Sequence, residues 1–168
     1  ESDYSGPTIG ARGATLHALN KRALSPVSKT LIGRDASIEV TGEQDVHRLL
    51  IRDTGLITGA SGSSVVSQSI VNRGDINLDS IQMEDGMTRF LDRVFERRGS
   101  QIPVDSPLRK IKAQGSLKNL GGSIELSGDL TFASTGDAGH ALLNLSSRDA
   151  DDKLASISAE SIKLSDAN

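Results

Sequence analysis

The chain has 168 residues, enough to bury one contiguous core without covalent staples, and its 36% hydrophobic and 24% charged residues are those of a globular domain rather than a disordered segment. Cysteine is absent, which removes disulfides, thiolate nucleophiles and thiolate metal sites, and a net charge of −3 argues against a general nucleic-acid binder. Aromatics make up only 2% of the chain, so the core has to be aliphatic, and 17 glycines among many Ser, Asp and Asn residues favour short strands with frequent corners.

No apolar run approaches the roughly 18 residues of a membrane-spanning helix, and "ESDYSGPTIGARG" has no apolar signal-peptide centre. A chain that begins at Glu1 is expected to be a processed or excised piece, so its localisation does not follow from a missing signal. In residues 1–30, Leu16, Leu19 and Leu24 allow a helical turn or two before Pro26, and this segment is expected to be an N-terminal cap or an extended stretch. Residues 31–168 are expected to form a single β domain.

From Ser37 onward one short phrase recurs. "SIEVTG" (37–42), "DINLDS" (75–80), "SIELSG" (123–128), "DLTFAS" (129–134) and "SIKLSD" (161–166) share the pattern small or acidic, apolar, polar, apolar, small, small. Apolar residues at every second position put Ile38 with Val40, Ile76 with Leu78, and Ile124 with Leu126 on one face of a strand. "HRLLIR" (47–52), "SVVSQSIV" (64–71), "LRKIKAQ" (108–114) and "HALLNLS" (140–146) are further strand candidates, with His47 and His140 at strand openings. Gly115, Gly121, Gly122, Gly128 and Gly136 leave room for only about five or six residues between corners.

Two architectures suit such strands: a β-solenoid-like stack, and a β-sandwich or groove-like antiparallel sheet. Sandwich cores usually hold large aromatics, and Phe132 is the one aromatic in these strand candidates, which favours the stack. The uneven spacing of Ile38, Ile76, Ile124 and Leu130 favours the sheet alternatives, because stacked repeats normally keep a fixed period.

An exception interrupts the strands. In "MEDGMTRFLDRVFERRG", Met83, Met87, Phe90, Leu91, Val94 and Phe95 fall at i, i+4, i+7, i+8, i+11 and i+12, which predicts an amphipathic helix at about 84–98. Asp85 is its expected N-cap, Arg97 and Arg98 suit the C-terminal end of the dipole, and Gly99 stops it. Arg89, Asp92, Arg93 and Glu96 form the solvated face. The apolar stripe is expected to cap the β-structure, or else to be an adaptable contact for a lipid tail or a partner chain. After it, Pro103 and Pro107 indicate an extended connector.

Chemistry-bearing residues are sparse. Arg73-Gly74-Asp75 spells the tripeptide that integrins read, although three such residues at a turn are ordinarily structural. Asp149, Asp151 and Asp152 offer oxygen ligands of the kind calcium takes, without the glycine and spacing of an EF-hand loop, and are expected to be a solvated turn. His17, His47 and His140 have no metal-ligand spacing. "GASGSS" (59–64) carries Ser63 where a nucleophile elbow needs its second glycine, so it is a flexible turn. No phosphate loop or dinucleotide fingerprint occurs, and Asn144-Leu145-Ser146 is a glycosylation sequon. No metal and no cofactor is expected.

"SIVNRGDINLDS", "NLGGSIELSGDLTFAS" and "LASISAESIKLSDAN" resemble coils of the β-helical passengers of bacterial autotransporters and filamentous-haemagglutinin-type exoproteins, in their Asn-Arg-Gly and Ile-x-Leu-Ser phrases. The "SLKN…GSIELSGDL" stretch is also similar to large periplasmic lipid-transport scaffolds, and "TLIGRDASIEVTG" to bactofilin-like cytoskeletal solenoids over one coil. The first resemblance implies a non-enzymatic structural or adhesive module of a bacterial surface or envelope protein, extracellular or in the cell envelope, with a protein partner or self-association. The second implies a periplasmic groove that binds or transports lipid, with the Met83 to Phe95 stripe as its gate or lining.

Overall fold

The computed structural model describes residues 8–9, 15–18, 29–84, 88–103, 105–107, 115–133, 140–145 and 154–165. Fifteen strands and one helix account for most of them. The strands are β1 (Thr8–Ile9), β2 (Thr15–Ala18), β3 (Lys29–Ile32), β4 (Ser37–Val40), β5 (Glu43–Ile51), β6 (Leu56–Gly59), β7 (Ser64–Asn72), β8 (Asp75–Leu78) and β9 (Ser80–Glu84). After the helix α1 (Thr88–Arg97) come β10 (Gly115–Leu120), β11 (Ser123–Leu126), β12 (Asp129–Ala133), β13 (His140–Leu145), β14 (Ser156–Ser158) and β15 (Ser161–Ser165).

The protein is all-β with two parallel sheets. One has six strands in the order β14-β11-β8-β6-β4-β2; the other has nine, ordered β1-β3-β5-β7-β9-β12-β15, with β10 paired to β7 and β13 paired to β10. Every pairing among the described residues is parallel, which corrects the antiparallel sandwich or groove alternative. The physical reason lies in the corners. Thr41 and Gly42, with Gly42 at φ 66°, carry the chain from β4 in one sheet to β5 in the other, instead of folding it back beside β4 as a hairpin would.

Alternation then decides what is inside. In β4, β8 and β11 the second and fourth residues are buried, so Ile38, Val40, Ile76, Leu78, Ile124 and Leu126 all enter the core. Parallel register places Ile38 beside Ile57, Ile57 beside Ile76, Ile76 beside Ile124, and Ile124 beside Ile157, one continuous column of isoleucines. The opposing sheet contributes Ile32, Ile51, Ile70, Ile81, Leu117, Leu130 and Phe132. Burying each such side chain contributes about 1.5–3 kcal/mol, so the column is a principal source of stability.

β5 and β7 are long because each runs through a bend. Their register holds from Glu43–Ser64 to Val46–Ser67 and resumes at Arg48–Ser69, leaving His47 and Gln68 out of the ladder. Ser67 Oγ fills the gap, donating to the His47 carbonyl at 3.2 Å and accepting from the Ser69 amide at 3.3 Å. On one side of the bend β7 pairs with β9, and on the other with β10. The segment holding α1 therefore stands where Gln68 alone makes the bend in β7.

Several expectations change at the level of elements. Leu16 lies in β2, in register with Ile38, rather than in a helical turn, whereas Leu19 and Leu24 lie outside the described residues. The 108–114 strand candidate also lies outside them. His47 sits within β5 instead of opening it, because β5 starts at Glu43. β6 and β14, built on Ile57 and Ile157, add strands that the recurring phrase did not reveal.

Candidate functional site

The apolar stripe assigned to one helix divides between two elements. Met83 belongs to β9, fully buried and in register with Ser67 on one side and Phe132 on the other. It continues the two-residue period of Ile81 and gains strand hydrogen bonds and a core position that a helix starting there would forfeit. Met87 and the expected cap Asp85 lie outside the described residues. Helix α1 itself begins at Thr88 and contains Phe90, Leu91, Val94 and Phe95, of which Leu91, Val94 and Phe95 are half-buried.

The C-terminal stop of α1 forms as expected. Gly99 adopts φ 71°, its amide donates to the Glu96 carbonyl at 3.0 Å, and the Ser100 amide donates to the Phe95 carbonyl at 2.9 Å, the paired bonds of a Schellman cap. Beyond it Ile102 is buried, and Val66 is buried on the side of β7 away from the main core; neither belongs to the core cluster. Apolar residues are thus also covered outside the space between the sheets.

Arg73, Gly74 and Asp75 occupy the corner between β7 and β8. Arg73 and Asp75 are exposed and Gly74 is buried. The backbone of all three is held by neighbouring strands: the Arg73 amide donates to the Ile51 carbonyl, the Asp75 amide to the Gly55 carbonyl, and the Ser123 amide to the Gly74 carbonyl, each at 2.9 Å. A Cβ on Gly74 would stand 2.2 Å from the Gly55 carbonyl oxygen, so glycine is required there by close approach. The tripeptide sits in a packed corner instead of on a protruding loop.

Among the described residues no three His, Asp or Glu side chains group as a metal site, and Asp149, Asp151 and Asp152 lie outside them. His17 and His140 lie in β2 and β13, and His47 lies at the bend of β5. Burial, with Arg48 adding to it and Asp45 opposing, lowers the His47 pKa to about 4, so the ring is neutral at physiological pH. Ser63 in "GASGSS" is buried, and its carbonyl accepts from the Asp79 amide at 3.1 Å and the Ser80 amide at 3.2 Å. It ties one corner to the next.

The most elaborate polar arrangement was not anticipated. Asn72, Asn119 and Asn144 align in register across β7, β10 and β13. Asn72 Nδ2 donates to Asn119 Oδ1 at 2.9 Å, and Asn119 Nδ2 donates to Asn144 Oδ1 at 2.9 Å. Each amide also caps the corner that follows it: Asn72 donates to the Gly74 and Ser123 carbonyls at 3.2 Å, Asn119 to those of Gly122 at 2.9 Å and Ser156 at 3.0 Å, and Asn144 to that of Ala155 at 3.3 Å. The signal was an Asn closing an alternating strand just before a corner, in "SIVNRG", "SLKNLGG" and "ALLNLS". Asn72 and Asn119 are buried and Asn144 is exposed, and the bonded amides fix the register of the three strands.

At the outer edge, β15 is fastened to β12 through Asp129, which accepts from Ser161 Oγ and from Lys163 Nζ. These two bonds hold the Asp129 carboxyl below the usual carboxylate range, and the same contact holds Lys163 above its usual range. No helix among the described residues is long and apolar enough to cross a membrane. Comparisons with protein-family models, with curated proteins and with solved structures found no match to this chain.

Proposed function

We propose that the two parallel sheets are faces of a β-solenoid, and that the chain serves as a non-enzymatic structural or adhesive module of a bacterial surface or envelope protein. The observation that carries this reading is the column Ile38, Ile57, Ile76, Ile124, Ile157, each residue in register with the next although the strands between them lie in the other sheet. Winding a chain around an aliphatic core produces such a column, and the Asn72–Asn119–Asn144 ladder locks successive layers at one corner. Each layer then adds rigid length, which is what a scaffold needs and a reaction does not.

The runner-up, a groove for acyl chains lined by Met83 and the helix, gains no supporting observation, since Met83 fills a core position beside Phe132. Native mass spectrometry of the gently purified chain separates the two. Ligand-free monomers or regular multimers are expected for the scaffold. Stoichiometric extra mass matching a phospholipid or fatty acid would overturn it in favour of the groove.

A further inference from the structure

The outward surface of the nine-stranded sheet beyond the bend differs from that of the six-stranded sheet. Beyond the bend, β3, β5, β7 and β10 alternate so that Thr30, Ile32, Leu49, Ile51, Ile70, Asn72, Leu117 and Asn119 point inward. The residues between them point outward and fall into two columns. One runs Lys29, Arg48, Ser69, Ser116, and the other Leu31, Leu50, Val71, Lys118. Leu31, Leu50 and Val71 are half-buried on this outer surface, while Arg48 and Lys118 are exposed.

Charge separates in the same way. The strand stretches 29–32, 48–51, 69–72, 115–120 and 140–145 contain no Asp or Glu, and carry Lys29, Arg48 and Lys118. At the adjoining corner Arg52 and Arg73 are exposed next to Asp53 and Asp75, so that corner is balanced. On the six-stranded sheet the corresponding outward positions include Glu39, Thr58, Asp75, Asn77 and Glu125, with no aliphatic column. An outward aliphatic stripe bordered by cations is therefore particular to one surface.

We propose that this surface docks on an anionic lipid surface. Leu31, Leu50 and Val71 form an aliphatic stripe on this outward surface that an apolar contact can cover. The stripe and Lys118 beside it span about 14 Å across four strands. Arg48 and Lys118 border it, exposed and with stems long enough to keep their charges at the headgroups while the aliphatic side chains meet the acyl boundary. Charge complementarity selects the partner. A second copy docking by this same face would oppose cations with cations, and a nucleic acid would find neither aromatic platforms in these strands nor a basic chain, the net charge being −3. The inference uses only the strand pairings and outward residues, so it stands or falls apart from the scaffold reading.

The test is co-sedimentation of the full chain with vesicles of phosphatidylcholine alone and of phosphatidylcholine mixed with phosphatidylglycerol. Binding to the mixed vesicles only is expected, weakened by salt. Each cation near such a surface is worth about a factor of five, so Arg48→Glu with Lys118→Glu should reduce partitioning by more than about tenfold. A single-charge control, Arg98→Glu just beyond α1, lies outside these strands and should change it less than Lys118→Glu alone, with circular dichroism verifying that every variant is folded. Absence of binding by the parent chain, or undiminished binding by the Arg48/Lys118 variant, would overturn the proposal. If soluble polyglutamate competes as well as the anionic vesicles and Leu50→Ser binds like the parent, the partner is an acidic polypeptide and the lipid assignment is wrong.

Discussion

Replacing Asn119 by Ala removes the centre of the asparagine ladder. Its Oδ1 accepts from Asn72 at 2.9 Å, and its two amide protons are shared among Asn144 Oδ1 and the Gly122 and Ser156 carbonyls at 2.9, 2.9 and 3.0 Å. The side chain is fully buried, so water cannot replace these partners. Three effective hydrogen bonds at about 0.5–1.5 kcal/mol each give a loss of about 2–4 kcal/mol, the Gly122 carbonyl keeping its bond from the Ser156 amide. For a chain of this length that is on the order of 10 °C in Tm, and a large share of a typical total stability. Asn144→Ala is the internal comparison. Among the described residues it loses the acceptance from Asn119 and the 3.3 Å donation to Ala155 at an exposed position, so it should cost about 1 kcal/mol. Urea titration of both variants, with the denaturant slope held common, measures the difference. An Asn119→Ala loss below about 1.5 kcal/mol, or equal losses for the two variants, would refute the view that the ladder is worth more in its buried middle than at its exposed end.

Gly74→Ala should destabilise by about 3 kcal/mol or more, because backbone at Gly55 and Arg52 must move, whereas Gly42→Ala meets open space and costs only the left-handed conformation, about 1 kcal/mol; thermal melts of the pair check this. Phe132→Ala and Met83→Ala should each cost about 3–4 kcal/mol if both fill the core, and near-neutral behaviour of Met83→Ala in urea titration would return that residue to the surface. His47 binds a proton less readily folded, at about 4, than unfolded, at the ordinary histidine value of 6.5, so its contribution is present above pH 6.5 and is lost as pH falls toward 4. The shift corresponds to about 3 kcal/mol before solvent screening of the half-buried ring, and about 1–2 after it. His47→Gln should flatten that part of the stability-pH curve, and a curve identical to the parent's would show that the ring is not held neutral.

Sequence alone revealed the faces but not how they join. Ile38 with Val40 and Ile124 with Leu126 announced their burial because a two-residue period has one meaning in a strand. That period is the same for parallel and antiparallel sheets, so direction was hidden until the corners at Gly42 and Gly74 were seen sending consecutive strands to different sheets. "LITG" concealed the regularity: Leu56 beside Ile57 breaks the alternation, yet Ile57 stands 19 residues from both Ile38 and Ile76. Met83 satisfied two periods at once, i+2 from Ile81 and i−4 from Met87, and packing beside Phe132 decided for the strand. The ladder was illegible for another reason, since an Asn at a strand end reads as a turn residue until its stacking partner, 47 residues further on for Asn72, is brought beside it.

The insertion at the bend also gives the molecule a direction in time. From β4 through β8, neighbours in a sheet are 19 or 21 residues apart, whereas Ile76 meets Ile124 and Val71 meets Lys118 only after the chain has closed a loop more than twice as long. Closing the longer loop costs only about 0.6–0.8 kcal/mol more in chain entropy, so it barely touches equilibrium stability, but rates follow the sequence separation of contacts. The strands before α1 are therefore expected to form first, their edge serving as the template onto which β10, β11 and β12 pair. Pulse-labelled hydrogen exchange should accordingly protect Ile57 and Ile70 before Leu117 and Ile124, and the reverse order would place the strands that form first on the other side of the helix.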